Sequence, residues 1–339
     1  MANSASNQIT IKEQQEIAEI INSNIKSAEF DFKFDEVKPS DIRFHNKYDV
    51  KNVLVFEEGK NPITQIFDKL SKNRVGDYGR FHHFKSAHIA LDIIKNQSIQ
   101  VSSLFSNDSN DFAEYTEFYK RIGLFHPLVP EDFQKKAFNN NINPKDTRPS
   151  DVERNHIFVL CFTQDNHNEK FWKNYANEDH GVAIGFRFSN FNNEGLRLFD
   201  FRDVFYDRGY SFDFYNAIEY QLRKYNKMFF SDGVDRFSKF YKRARYNWEN
   251  ETRLCFHYDA PNMVGLNGFL DRTFPIQTDS KSGRKFIDLP LTGNSVENPF
   301  FELEIVEVVC GKFVGQGMVD QLKDALKQSF PSADFWQRR

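Results

Sequence analysis

Short apolar runs rich in β-branched and aromatic residues recur along this 339-residue chain, and they do not alternate regularly with helical segments. Runs of roughly four to eight such residues are typical of β-strands. The pattern predicts strands at Val53–Phe56, Ile99–Ser102, Ile157–Thr163, Val182–Phe188, Leu196–Phe201, Val204–Tyr206, Arg253–Tyr258, Phe286–Leu289 and Ile305–Cys310. A doubly wound parallel sheet requires strands and helices to alternate, so the chain is predicted to adopt an α+β fold instead.

Helical spacing of apolar residues predicts helices at 11–26, Pro62–Lys72, Ser86–Lys95, Lys170–Ala176, Phe212–Phe229, Val234–Tyr246 and Gly317–Gln328. Ser86 is placed to cap the N-terminus of its helix. The first 75 residues carry no recognisable chemistry. We therefore predict that residues 1–75 form an N-terminal helical and mixed extension and that residues 76–339 form the main domain.

The formal net charge is −3, with 45 Lys and Arg against 48 Asp and Glu. This balance argues against a protein that binds nucleic acid mainly by neutralising phosphates in bulk. Basic residues concentrate only at 223–227 and in the run Lys239, Lys242, Arg243 and Arg245. Each concentration is either a solvated helix face or a contact surface for a phosphate-bearing ligand.

The three cysteines, Cys161, Cys255 and Cys310, each lie in an apolar run and show no CxxC spacing. This setting favours buried strand thiols over disulfides or metal ligands. The N-terminus lacks the regions of a signal peptide, and no segment approaches the roughly 20 apolar residues needed to cross a bilayer. We expect a cytoplasmic protein without membrane association.

Two motifs precede the central strands. Phe81–Ser86 places His82 and His83 at the end of a strand, where an imidazole can hold a sugar hydroxyl or serve as a partly buried structural group. Asn107–Tyr115 contains an Asn-Asp pair followed by Glu114, which either caps a helix or orients a pocket loop.

A third motif, Phe171–Ala176 followed by His180 and Gly181, contains two aromatic residues with polar tips. Trp172 and Tyr175 are three residues apart, so on a helix they lie on one face. Such rings can sandwich a planar heterocycle, although core packing is the commoner role of an aromatic pair.

The fourth motif, Asn247–Leu254, contains Glu249, Glu251 and Arg253. In an extended segment these three side chains point to the same side. A carboxylate at a strand edge can stabilise positive charge that develops on a sugar carbon, and the alternative is a surface ion pair.

Several common site types are disfavoured by the absence of their motifs from the sequence. GxGxxG, GxxxxGK[ST] and Gly-x-Ser-x-Gly do not occur, and the nine histidines form no metal-ligand spacing. These absences argue against a Rossmann or P-loop nucleotide site, a Ser-based triad and a metal-dependent hydrolase.

Taken in order, these motifs resemble those of a large bacterial family without an assigned function. Its pattern runs His-Tyr-Thr-Ser, Asn-Asp-Pro-x-Glu, Cys-Phe-Ser, Met-Trp-x-x-Tyr-Ala with His-Gly, and Trp-x-x-Glu-x-Glu-x-Arg. The matching segments here are His83–Ser86, Asn110–Glu114, Cys161–Thr163, Trp172–Ala176, His180–Gly181 and Trp248–Arg253. Phe84 and Lys85 replace the Tyr-Thr pair, and Trp248 lies closer to the glutamates than in that pattern.

That family in turn resembles the ADP-ribosyltransferases, by analogy of fold. The resemblance implies a split antiparallel sheet with flanking helices that holds NAD without a Gly-rich phosphate loop. His83, or His82, would then hold the ribose and amide of NAD. The implied catalytic residues are Glu251, its rival Glu249, Tyr175 and His83. The implied NAD-binding residues are His82, His83, Ser86, Trp172, Tyr175 and Arg253.

In these roles Tyr175 and Trp172 would stack on nicotinamide, and Glu251 would stabilise the ribosyl cation. Arg253 would hold Glu251 or contact a phosphate. The resemblance implies an enzyme that uses NAD as co-substrate, without a metal, and modifies RNA, DNA or protein as a toxin or phage-defence effector. An antitoxin or regulatory protein is the expected partner.

Two other classes of function stay open at the level of sequence. One is a non-catalytic module that senses a ligand or binds a protein. The other is a metal-independent ribonuclease toxin in which His83 and Glu251 carry out acid–base cleavage.

Overall fold

The computed structural model describes residues 10–47, 50–56, 60–104, 157–192, 198–207, 213–223, 228–229, 238–258, 270 and 272–339. The second motif, Asn107–Tyr115, lies outside the described residues, as does the basic segment 224–227.

Helices and strands are labelled here in chain order within the described residues. The α-helices are α1 (Ile11–Ser27), α2 (Pro62–Leu70), α3 (Ala87–Asn96), α4 (Glu169–Asn174), α5 (Asp213–Arg223) and α6 (Gln316–Ser329). The first strands are β1 (Ile42–Lys47), β2 (Val50–Phe56), β3 (Phe81–Ser86), β4 (Ser98–Ser103), β5 (Ile157–Thr163), β6 (Gly181–Ser189), β7 (Phe199–Asp203) and β8 (Phe205–Tyr206). The remaining strands are β9 (Met228–Phe229), β10 (Tyr241–Lys242), β11 (Glu251–His257), β12 (Gln277–Thr278), β13 (Lys285–Pro290), β14 (Glu302–Cys310) and β15 (Asp334–Gln337). Short 3-10 helices occupy Pro39–Asp41 and Ala244–Glu249.

The chain divides into two compact units. The first contains the described residues of Met1–Lys72 and Phe205–Ala244. The second contains those of Asn73–Phe112, Pro149–Val204 and Arg245–Arg339. The division into residues 1–75 and 76–339 stays a prediction.

In the first unit, helix α1 begins at a capping box. The Thr10 hydroxyl accepts a hydrogen bond from the Glu13 backbone amide at 3.1 Å, and the Glu13 carboxylate accepts one from the Thr10 amide at 2.9 Å. This reciprocal pair satisfies amides that a helix start leaves without partners. The helix buries four residues of the predicted isoleucine stripe, Ile17, Ile20, Ile21 and Ile25, whereas the fifth, Ile11 at its first position, is 74% exposed.

Two predicted helices of this unit are only partly helical. The helix predicted at Phe212–Phe229 is present as the shorter helix α5, whereas its last two residues, Met228–Phe229, form strand β9, which pairs with β2. The helix predicted at Val234–Tyr246 was expected to include Tyr241 and Lys242. These two residues instead form strand β10, which pairs in parallel with β8. The prediction is wrong there because backbone pairing, with Tyr241 fully buried, overrides the helical spacing.

The described strands of the second unit form a 10-stranded, mostly antiparallel sheet with the order β12-β13-β4-β5-β3-β6-β14-β15. Strand β11 pairs with β5 and β7. Together with the helices, this sheet confirms a mixed α and β architecture built on antiparallel pairing. The predicted strands at Ile157–Thr163 and within 182–188, 286–289 and 305–310 are confirmed.

The sheet forks at β5. One edge of β5 pairs with β11 along its whole length. The other edge pairs with β4 at Val159 and Phe158, and with β3 at Thr163. Strands β4, β13 and β12 continue one branch, and β3, β6, β14 and β15 continue the other.

One face of this sheet forms the main hydrophobic core with helices α3 and α6. Aromatic rings fill much of it. The Phe81 ring lies 4.9 Å from that of Phe201, which lies 4.3 Å from the Phe188 ring. Aromatic rings bury large apolar surfaces, so a phenylalanine-rich sequence can stabilise a broad sheet. We call this side the core face.

All three cysteines lie on strands as free thiols, and Cys255 and Cys310 are buried as predicted, whereas Cys161 is only partly buried. Burial raises the pKa of the Cys310 thiol to about 12, which suppresses the nucleophilic thiolate. In the part of the chain that the structure describes, no helix has both the length and the apolar character required to span a membrane.

Gly181, which opens β6 in the third motif, is predicted to tolerate no side chain. A Cβ built there would lie 2.5 Å from the Lys85 carbonyl oxygen and 2.8 Å from Ala176 Cα, both backbone atoms. We expect Gly181→Ala to lower the free energy of unfolding by about 1–3 kcal/mol, measured by urea denaturation.

Gly317→Ala in helix α6 is the matched control, because nothing lies within 4 Å of its built Cβ. There alanine should be neutral or stabilise the helix by up to about 1 kcal/mol. Equal effects of the two substitutions would contradict the close approach at Gly181.

Candidate functional site

A row of paired residues crosses five neighbouring strands of the second unit. Glu307 on β14 pairs with Gly185 on β6, which pairs with His82 on β3. His82 pairs with Thr163 on β5, and Thr163 pairs with Glu251 on β11. Directly paired residues point to the same face of a sheet, so these side chains share the face opposite the core face. We call Glu307, Gly185, His82, Thr163 and Glu251 the polar row.

His82 and Glu307 form a buried pair at one end of the polar row. The His82 Nε2 atom lies 2.8 Å from a Glu307 carboxylate oxygen. That oxygen also accepts a hydrogen bond from the Asn166 amide at 3.2 Å, and the Arg80 guanidinium lies 3.3 Å from the other oxygen. The hydrogen bond from His82 is the main cause that lowers the pKa of Glu307, and Arg80 acts in the same direction. Glu307 is therefore an anion at neutral pH.

The absence of a side chain at Gly185 makes room for this pair. A Cβ at that position would lie 3.0 Å from Glu307 Cβ and 3.2 Å from His82 Nε2. Even an alanine there would require one of these neighbours to shift by a few tenths of an ångström. Gly185, in the middle of β6, therefore allows the side chains of His82 and Glu307 to approach each other over this strand.

His83 points to the core face, opposite the polar row, because successive strand residues alternate. Its ring lies edge-on to the core residue Phe162 at 6.0 Å. Its Nδ1 donates a hydrogen bond to the Cys161 carbonyl at 2.7 Å. Burial, aided by the charge of Lys85, lowers the pKa of His83 to about 3, so the ring is neutral at physiological pH. The structure therefore does not bring His83 together with Glu251.

Glu251 and Arg253 form the predicted ion pair at the other end of the polar row. The Arg253 Nε donates to a Glu251 oxygen at 2.7 Å, and both residues are at least 95% buried. Both side chains point to the same side of β11, as predicted. A buried guanidinium next to the carboxylate favours its charged form.

Glu249 was predicted to lie on the same extended segment, and that prediction is wrong. It belongs to the 3-10 helix Ala244–Glu249, and Asn250, with φ at 41°, separates that helix from β11. The buried Glu249 carboxylate accepts a hydrogen bond from the Tyr175 hydroxyl at 2.7 Å. The structure thus joins Glu249 to Tyr175, two residues from different predicted motifs.

Trp172 and Tyr175 have different environments. Helix α4 ends at Asn174, before the predicted end, and Tyr175 follows as its C-cap with 47% of its surface exposed. Trp172 is fully buried, donates its indole N–H to the Asn166 carbonyl at 2.7 Å and lies under the Arg338 guanidinium. Of the two rings, the structure leaves Tyr175 accessible to a ligand.

Ser86 has the predicted capping position. Its hydroxyl accepts a hydrogen bond from the Ile89 amide at the start of helix α3. The basic run predicted as a candidate contact surface is not a row of exposed cations, since Lys239 and Lys242 are both buried. Among the described residues, no three His, Cys, Asp or Glu side chains are grouped to hold a metal ion.

Three comparisons with known proteins bear on this site. A family described as "Protein of unknown function (DUF2971)" matches residues 171–254. This segment contains Trp172, Tyr175, Glu249, Glu251 and Arg253, so over these residues the chain is similar to a family without an assigned function. No curated protein and no solved structure matches the chain.

Sequence reasoning missed Glu307 and Asn166. Glu307 could have been identified from the sequence. It is an acidic residue within the apolar run of β14, where a central strand position favours apolar side chains. Asn166 lies in the loop after β5, where its sequence indicates only a turn. Both became candidates only when strand register placed them beside His82.

The neutral state of His83 has a testable consequence for stability. Its pKa is 6.5 in the unfolded chain and about 3 in the folded one, so His83 contributes stability above pH 6.5 that is lost as the pH falls towards 3. The difference in unfolding free energy between the wild type and His83→Gln, measured by urea denaturation, should therefore shrink across this window. A difference that stays constant from pH 7 to pH 4 would contradict the buried neutral ring.

Proposed function

We propose that the protein is an NAD-dependent ADP-ribosyltransferase. The observation that carries the proposal is the buried Glu251 carboxylate, paired with Arg253 and placed on the same sheet face as His82. The fork of the antiparallel sheet at β5 and the similarity over residues 171–254 to a family of unassigned function are compatible with the resemblance described above.

Transfer of ADP-ribose passes through a ribosyl group that carries positive charge as nicotinamide leaves. A fixed carboxylate stabilises that charge more than it stabilises neutral ground-state atoms, and this difference lowers the barrier. Glu251 is suited to this role because Arg253 holds its orientation and burial excludes water. It is the first residue of β11, a strand that pairs with β5 on one side and with β7 on the other.

The other residues have supporting roles in this proposal. His82 holds the ribose of NAD, because it shares the face of Glu251 whereas His83 does not. Tyr175 offers its exposed ring to nicotinamide, and its hydroxyl holds Glu249. Trp172 supports this region from within a separate small hydrophobic cluster that it forms with Phe84, Phe171, Ala176, Ala183 and Val309.

The acceptor is a macromolecule: RNA, DNA or protein. The net charge of −3 and the buried Lys239 and Lys242 give no broad cationic surface among these residues, which favours protein over nucleic acid. We propose a cytoplasmic toxin or phage-defence effector, held in check by an antitoxin or a regulatory protein.

The proposal predicts that Glu251→Gln abolishes transfer but not NAD binding. Purified protein is offered labelled NAD with cell lysate, RNA or DNA in separate reactions. We expect label in one of the three pools and a loss of at least about 100-fold in rate for Glu251→Gln, since the amide carries no charge. NAD affinity, measured by calorimetry, should change little.

Glu302→Gln is the control, because this carboxylate is exposed at the start of β14. It should retain the wild-type rate. Unimpaired transfer by Glu251→Gln would refute the role of Glu251. Absence of NAD turnover in every pool would refute the function, and RNA cleavage without NAD would support a ribonuclease in its place.

A further inference from the structure

The imidazole of His82 has one ring nitrogen that the fold fixes and one that it leaves without a partner. Its Nε2 contacts the Glu307 carboxylate at 2.8 Å, while no hydrogen-bond partner of the buried Nδ1 is found in the described part of the chain. His82 as a whole is 5% exposed. A buried polar atom without a partner is costly, so it marks a place where a ligand atom can contribute.

Glu307 determines which nitrogen carries the proton. An ionised carboxylate can only accept a hydrogen bond, so Nε2 must donate. In the neutral ring, Nδ1 then holds a lone pair and can only accept. Arg80 reinforces this arrangement because it binds Glu307 and keeps it oriented, and the Asn166 amide nitrogen lies 3.2 Å from both the Glu307 carboxylate and His82 Nε2.

His82 and Glu251 lie on either side of the buried Thr163 in the polar row. His82 and Glu251 are separated by the single strand β5, so their backbones lie about 10 Å apart. Side chains stand roughly perpendicular to a sheet, so their polar ends keep about this separation.

We propose that Glu307 is a positioning residue that fixes His82 as the acceptor for a ribose hydroxyl, which makes the site selective for substrates that carry this hydroxyl. This inference rests on the proposed function and specifies how the site recognises its NAD. The hydroxyl of the nicotinamide-side ribose donates to His82 Nδ1 while Glu251 faces the same sugar.

The test compares NAD with analogues that lack the 2′ or the 3′ hydroxyl of that ribose. For the wild type we expect kcat/KM to favour NAD over one of the two analogues by about 10-fold to 100-fold, because the analogue leaves Nδ1 without a partner. In Glu307→Gln this preference should fall to near unity. A glutamine amide presents either a donor or an acceptor to Nε2, so it no longer fixes the tautomer.

A purely structural role for Glu307 would lower both kcat/KM values together and leave their ratio unchanged, and that result would overturn the inference. Glu304→Gln is the matched control on the same strand and face, where the carboxylate pairs with Arg187 at 2.6 Å. It should keep the wild-type ratio. Asn166→Ala removes one donor to Glu307 and should give a ratio of kcat/KM values between those of the wild type and Glu307→Gln. This variant replaces Glu307→Gln in the test if Glu307→Gln does not fold.

A second measurement is independent of turnover. Nitrogen-15 NMR of the histidine-labelled full chain should show His82 with its proton on Nε2 in the wild type and a changed tautomer population in Glu307→Gln. A proton on Nδ1 in the wild type would overturn the inference even if NAD turnover is found. Absence of NAD turnover with the expected tautomer would refute the proposed function alone.

Discussion

The pairing of β3 with β5 at His82 and Thr163 is the contact on which the candidate site depends. It joins the branch that carries Glu307 to the strands that carry Glu251. Without it, the two ends of the polar row would belong to separate halves of the sheet. Because register in a sheet has a period of two, a shift by one residue would turn His82 to the core face and bring His83 to the site face.

The two neighbouring histidines show how one strand serves both faces. His83 is a structural group: it donates to the Cys161 carbonyl between the points where β5 pairs with β3 and with β4. Its low pKa follows from its burial against aromatic rings. His82, one residue earlier, lies over Gly185 and contacts a carboxylate. The sequence alone makes His82 and His83 equally good candidates for the site. Only the strand register shows that they lie on opposite faces of the sheet.

Local pattern was enough to predict much of the framework. The apolar runs at Ile157–Thr163 and 305–310 form strands because they are long enough and β-branched or aromatic enough to fill a buried sheet. Ser86 was predicted as a helix cap because capping is a local interaction. The Glu251–Arg253 pair followed from the alternation of strand side chains.

The rest depends on contacts between residues far apart in sequence. Glu307 and His82 are 225 residues apart, and Tyr175 and Glu249 are 74 apart. No local pattern encodes these pairs. Glu249 was misplaced because a single residue of positive φ at Asn250 ends the extended segment, and Tyr241 and Lys242 were misplaced because strand pairing overrides helical spacing.

We propose that the face bearing the polar row binds NAD with its nicotinamide-side ribose between His82 and Glu251. The most direct test is a crystal structure of the full chain with an unreactive NAD analogue. We predict ribose density above Thr163, with a hydroxyl within hydrogen-bond distance of His82 Nδ1 and the sugar carbon facing the Glu251 carboxylate. Density beside His83 on the core face, or at a site away from both ends of the polar row, would contradict it.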